Sequence, residues 1–264
     1  MSAQFPNINI PGDKVNAKDH VEKGTEFNVI LASLVALLGS LFLIAISYGV
    51  LLIFLLIYPF IKGYIHKKAM ALIHGSGVRV SETQFPQIYE CFLTLKQRLG
   101  IDKDVSLYIV EANVLNAASI RYGKGNVITL TDDLIQGCLA SGNPKALSFV
   151  IAHELGHIAL NHTGPLRTWL TKFFKKLSRL DEYSCDSVAM ALIQDNSSAF
   201  TGLLLLTVGW ALLPYVNQQA LAAQSEEVEK NKYSKKAERT HTHPLLLHRI
   251  HRVLYPAGKT SVVS

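Results

Sequence analysis

The polarity pattern changes character along the chain. Residues 1–27 are polar and turn-rich, with Phe5-Pro6-Asn7 and Pro11-Gly12-Asp13 followed by mixed charge from Lys14 to Glu26. They predict a flexible tail or a short amphipathic arm. Residues 28–61 then carry no charge at all, a run well past the ~18 apolar residues that mark a membrane span. As one straight helix it would extend about 51 Å against a hydrocarbon core of about 30 Å. A transmembrane segment is expected here, either one long span or a hairpin broken near Ser47-Tyr48-Gly49. Lys14, Lys18 and Lys23 precede the run and Lys62, Lys67 and Lys68 follow it, which favours both ends in the cytoplasm and hence the hairpin.

Residues 75–264 have the pattern of a folded domain. Gly77-Val78-Arg79-Val80-Ser81 reads as a short strand ending at a helix cap, and 87–99 sets Ile88, Phe92, Leu95 and Leu99 on one helical face. Residues 105–110 read as a strand, and 117–121 with 127–131 flank the glycine-rich reversal 122–126, a β-hairpin. Asp132-Asp133 and Asn143-Pro144 each open a further helix. A second apolar run, 199–216, contains Thr201, Gly202, Thr207, Gly209 and Pro214 and has no lysine or arginine at either end. It predicts a buried core helix in preference to a span. Residues 225–239 are dense in charge and predict a solvated helix or a mobile loop.

Composition supports a membrane segment joined to a soluble domain: the 264 residues are 49% hydrophobic and mean hydropathy is +0.22. The formal charge of +6 is spread along the chain without an aromatic-basic motif, which argues for a solvated basic surface and against a nucleic-acid partner. Cys91, Cys138 and Cys185 are odd in number and widely spaced. They read as buried free thiols, in keeping with a reducing compartment.

The candidate chemistry is concentrated in His153-Glu154-Leu155-Gly156-His157, which follows the apolar stretch Phe149-Val150-Ile151-Ala152. Residues four apart share a helix face, so His153 and His157 can present both imidazoles to one metal ion. Glu154, one position on, can reach a water on that metal. Three fixed positions at about one in twenty each give about 0.03 chance matches over this length, so the pattern is signal. Gly156 costs about 1 kcal/mol relative to alanine in mid-helix, which is understandable where something approaches the helix closely. A catalytic zinc requires a third protein ligand. His162 lies five residues after His157, where the extended three-histidine motif needs six with a glycine between; it reads as a polar loop residue. Glu182, Asp186 and Ala189 fall at i, i+4 and i+7 on one stripe of a second helix. Glu182 can supply a carboxylate to zinc and Asp186 can hold a histidine by its other nitrogen. Spacing alone leaves an exposed acidic stripe equally open.

With these motifs the chain resembles the membrane zinc metallopeptidases that include HtpX and the CaaX prenyl proteases. Those pair His-Glu-x-x-His with a downstream Glu-x-x-x-Asp helix, here Glu182-Tyr183-Ser184-Cys185-Asp186. Asn116-Ala117 resembles the family's edge strand that pairs with substrate, 128–134 its next strand and helix start, and His243-Pro244-Leu245-Leu246-Leu247-His248-Arg249-Ile250 its C-terminal His-Pro and Arg-Ile stretch. The likeness runs over about 78–250 and departs from the family at Ala118 and Leu245. It implies an α+β, mainly helical, zincin-like metalloprotease domain with a small antiparallel sheet, preceded by the N-terminal transmembrane segment. It also implies one zinc per chain on His153, His157 and Glu182, with Asp186 supporting a ligand, Glu154 as general base, and Asn116, Ala117, His243 and Arg249 toward the substrate. The expected protein is a membrane-anchored zinc endopeptidase acting on membrane-associated proteins or peptides, with membrane-protein quality control as the candidate role. Its expected setting is the lipid bilayer of a bacterial inner membrane, with the catalytic domain in the cytoplasm. The rival is a non-catalytic zinc-binding membrane adaptor or chaperone. A closed structural site wants four ligands, commonly with cysteine, and Cys185 is the one close enough to check.

Overall fold

The computed structural model describes residues 5–8, 10–112 and 116–255. The charge-free run folds as two helices, α1 (Thr25–Ile46) and α2 (Val50–Ser76). They break where the hairpin was expected, with Tyr48 and Gly49 at φ 49° and 83°. Their 22 and 27 residues correspond to about 33 and 40 Å of helix. Both are fixed to the rest of the chain at the end away from this turn. Ala32 packs against Leu170 and Leu177, and Met70 against Tyr108 and Val127. Beyond these roots the apolar side chains, Phe42 and Phe54 among them, stay exposed.

Four strands follow: β1 (Val78–Arg79), β2 (Val105–Val110), β3 (Ala117–Tyr122) and β4 (Gly125–Thr131), in the order β1-β2-β4-β3. The expected hairpin is β3–β4, and Gly123 supplies the positive φ (58°) that its two-residue turn needs. The sheet is mixed and not purely antiparallel, because β2 and β4 run parallel. The chain leaves β2, reverses, and enters β3 one strand position further out. The second arm of the hairpin then fills the gap in the direction of β2. β3 is left as an edge strand.

The helices are α3 (Pro86–Arg98), α4 (Asp132–Ala140), α5 (Lys145–Ala159), α6 (Pro165–Phe173), α7 (Lys175–Ile193), α8 (Asn196–Val208), α9 (Gln218–Lys230), α10 (Lys232–Glu238) and α11 (Leu246–Leu254). α3 does not start from a cap at Ser81, which instead pairs with Gln84 in a tight turn; the chain enters the helix through Phe85 at φ 59°. α5 is the central helix, buried continuously from Ala146 to Gly156. α8 lies in the same core through Ala199, Phe200, Leu203, Leu204 and Leu205. It stops at Gly209 (φ 74°), so only the first part of the second apolar run is a core helix, and Leu212 and Tyr215 beyond it are exposed. The charge-dense segment forms α9 and α10, largely solvated.

The N-terminal segment is not a free tail. Ile8, Ile10 and Ala17 are buried in the main core, Val15 N donates to Arg98 O at 2.8 Å, and Arg98 Nε donates to Asp13 O at 2.9 Å. All three cysteines are buried and unpaired with one another. Burial pushes Cys91 and Cys138 up to about 12.

Candidate metal centre

Helices α5 and α7 meet face to face and approach closely at Gly156. A Cβ there would lie 3.4 Å from the Cα, Cβ and Sγ of Cys185. A residue no larger than alanine there thus lets α7 sit low enough for Glu182 to meet the two histidines of α5. His153 Nε2 and His157 Nε2 are 3.3 Å apart, and Glu182 Oε2 and Oε1 lie 3.5 Å from the first and second of them. Zinc bonds of about 2.0–2.1 Å arranged tetrahedrally put neighbouring ligand atoms about 3.3–3.4 Å apart, so this donor set fits the ion. Glu182 and Asp186 are each 7% exposed, and the reading of an exposed acidic stripe is set aside.

The proton count leads to the same conclusion. His153 Nδ1 lies 2.9 Å from Asp186 Oδ1. A carboxylate only accepts, so Nδ1 carries a proton and Nε2 turns toward Glu182. His153 Nε2, His157 Nε2 and the Glu182 carboxylate then converge on one buried point, a place for a cation, either a metal ion or a proton. Burial works against a charged His153, yet hydrogen bonds and charge from Asp186 and Glu182 outweigh it and raise the pKa to about 10, so without a metal Nε2 holds a proton toward Glu182, and a bound metal ion would displace it. Burial likewise opposes ionised Glu182, but the two histidines hold its carboxyl well below the usual range.

α11 supplies the next layer. Arg249 Nε donates to Asp186 Oδ2 at 2.8 Å and Nη2 donates to Oδ1 at 2.7 Å, while Nη1 lies 3.6 Å from Glu182 Oε2. Burial would raise Asp186, and the Arg249 charge keeps it below its ordinary value instead. His243, mostly exposed, places Nε2 3.6 Å from Glu182 Oε1. Arg249 therefore acts first on the carboxylates, whereas His243 faces solvent at the rim.

These groups open on a cleft of about 520 Å³. Glu154 lines it and makes no hydrogen bond or ion pair among the described residues. Asn116 and Ala117 line the opposite side at the start of the β3 edge, with Asn116 fixed by Asn116 N donating to Thr131 Oγ1 at 3.0 Å. Phe149, Val150, Leu203 and Leu206 form an apolar wall. Every site residue expected from the sequence borders this cleft except Asp186, which stands behind His153.

His162 departs from expectation. Its side chain is 7% exposed, with Nδ1 3.2 Å from His157 Nδ1 and 3.5 Å from Cys185 Sγ. Burial, and then the neighbouring His157 and Arg167, lower its pKa well below 6.5. Asp181 and Arg167, which flank it, carry no recognisable motif; the one signal is that Asp181 directly precedes Glu182.

Two family models match the chain. Peptidase family M48 covers residues 82–168, from the first domain helix through the His-Glu-x-x-His helix. Peptidase U49 covers 143–257, from that helix through Glu182, Asp186 and Arg249 to α11. No curated protein and no solved structure matches. Both matched families are zinc metallopeptidases, and over these residues, each stretch less than half of the chain, the protein is similar to families M48 and U49.

Proposed function

We propose that the protein is a membrane-anchored zinc endopeptidase. The observation that carries this reading is the convergence of His153 Nε2, His157 Nε2 and Glu182 on one buried point, with Glu154 unpaired in the same cleft. A single zinc ion held there would lower the pKa of water to about 7 and polarise a carbonyl. The Glu154 carboxylate takes the proton of the attacking water and returns it to the leaving amine nitrogen. A peptide adds as a further strand beside the edge strand β3, next to Asn116 and Ala117, through backbone hydrogen bonds. Arg249 holds Asp186 and Glu182 in place, and His243 stands at the rim where substrate enters.

The membrane part of the reading is supported by α1 and α2, whose apolar surfaces are exposed along most of their length among the described residues. Both are rooted on the peptidase domain, so a bilayer around them leaves that domain on one side. The flanking lysines assign that side to the cytoplasm, as for a bacterial inner-membrane protein. Substrates are then membrane-associated proteins or peptides, and quality control of membrane proteins is the corresponding role.

The test is purification with metal quantification, followed by peptide cleavage by wild type and Glu154→Gln. The expected result is one zinc per chain in both proteins and cleavage only by wild type. Proteolysis unchanged in Glu154→Gln would overturn the mechanism.

A further inference from the structure

The second histidine of the metal set has a support of its own. His157 turns Nε2 to the centre, and its Nδ1 lies 3.2 Å from His162 Nδ1. On the far side of that ring, His162 Nε2 is 3.4 Å from Asp181 Oδ1. Arg167 grips Asp181 in turn, Nε donating to Oδ2 at 3.0 Å and Nη2 donating to Oδ1. The backbone around His162 is fixed as well. Asn161 takes φ 57°, His162 N donates to His157 O at 2.8 Å, and Thr168 Oγ1 donates to His162 O at 3.3 Å.

Following the protons gives each ring one orientation. The Asp181 carboxylate, held by a guanidinium and 3.4 Å from His162 Nε2, favours a proton on Nε2 by charge. Its Nδ1 is then a lone pair, and the facing Nδ1 of His157 is the donor of their hydrogen bond. That leaves the His157 Nε2 lone pair for the metal. The other ligand is set by the same logic in one step fewer, with His153 Nδ1 donating directly to Asp186 and Asp186 held by Arg249. The cleft thus contains two matching supports, one for each histidine.

We propose that His162 is a positioning residue that sets the tautomer and ring angle of His157 for the metal, with Asp181 and Arg167 anchoring it. This rests on the zinc reading given above. Cys185 Sγ also faces His162 Nδ1, at 3.5 Å, and His157, His162 and Cys185 could together be taken for a second metal site. That alternative competes with the first set for His157, and a second zinc that depends on Cys185 would mark it.

The experiment measures zinc affinity, not turnover. Metal-stripped full-length protein is titrated with zinc against a chromophoric chelator, for wild type, His162→Phe and His162→Asn. His162→Phe removes the acceptor and is expected to weaken zinc by about 10- to 100-fold, the usual effect of losing such a support. His162→Asn places an amide oxygen where Nδ1 stood and is expected to stay within about threefold of wild type on the same grounds. Melting temperatures of the metal-stripped proteins separate this from a folding defect. If His162→Phe does not fold, Asp181→Asn replaces it, with an expected loss of about tenfold. Wild-type affinity in His162→Phe (or, where that variant does not fold, in Asp181→Asn), or an Asn variant as weak as the Phe one, overturns the proposal. So do two zinc ions per wild-type chain, one of them lost in Cys185→Ala. A wild type that binds no zinc at all would overturn the parent reading as well, so the two failures are distinct.

Discussion

Arg249 holds Asp186 through two hydrogen bonds of 2.8 and 2.7 Å across 63 residues of sequence. The pair is buried, and Asp186 spends its Oδ1 on His153 as well. The C-terminal helix is therefore joined to the candidate metal centre through one carboxylate. Removing one member of a buried pair strands the other charge and costs about 3–5 kcal/mol. Arg249→Leu is expected to destabilise by that amount in chemical denaturation. Asp186→Asn combined with Arg249→Leu is expected to cost less than the sum of the single changes, because neither charge is then left alone. Strict additivity would mean that the two residues are not coupled.

Glu182 and Glu154 are both buried carboxylates on the cleft, and their surroundings separate their roles. Glu182 faces both histidines, whereas Glu154 faces none of the described side chains within hydrogen-bond reach. Glu182→Ala is expected to lower bound zinc well below one per chain, while Glu154→Gln retains it. Metal content after gel filtration distinguishes them, and full zinc retention in Glu182→Ala would remove Glu182 from the ligand set.

Glu238 and His248 tie α10 to α11, and this tie depends on pH. The hydrogen bond to Glu238 raises the His248 pKa above 6.5. Burial works to raise Glu238, but His248 and the backbone N–H of Leu245 bring it below 4.5. A histidine raised on folding contributes fully below its unfolded pKa and loses that contribution as pH rises through the folded value. The lowered carboxyl contributes above 4.5 and loses its share as pH falls through its folded value. The pair is thus strongest between about pH 4.5 and 6.5. The destabilisation caused by Glu238→Gln is expected to be larger at pH 5.5 than at pH 9 in urea titrations. A penalty that does not shrink at high pH would show that His248 is not the partner that matters.

Much of this site is legible in the sequence wherever the information is periodic. His153 and His157 at i, i+4, and Glu182 and Asp186 at i, i+4, each define a helix face, and the two faces meet as expected. Burial of the acidic stripe is not legible, because the group that neutralises it, Arg249, lies on a helix far along the chain. His162 escapes for a related reason. It lies past the end of α5 and returns to His157 only because Asn161 turns the backbone at positive φ. The parallel pairing of β2 and β4 depends on where a connection lands, which no strand pattern encodes. Ile8 and Ile10 are too short a pattern to announce that the N-terminal arm joins the core.

Gly156 is the position where the packing of α5 on α7 controls the metal set. An alanine there gains up to about 1 kcal/mol of helix propensity and brings its Cβ to 3.4 Å from Cys185, an ordinary contact, so Gly156→Ala is expected to be nearly neutral. Valine adds two methyl groups against the same backbone. Overpacking of this kind costs about 1–3 kcal/mol, and relieving it means moving α7 away from α5, which draws Glu182 off the histidines. Gly156→Val is therefore expected to lose both stability and zinc affinity, measured by urea unfolding of the metal-stripped protein and by chelator competition. Adding Cys185→Ala removes the Sγ contact and is expected to recover part of both. A Gly156→Val protein that is less stable but binds zinc as tightly as wild type would show that the helix spacing does not govern the site.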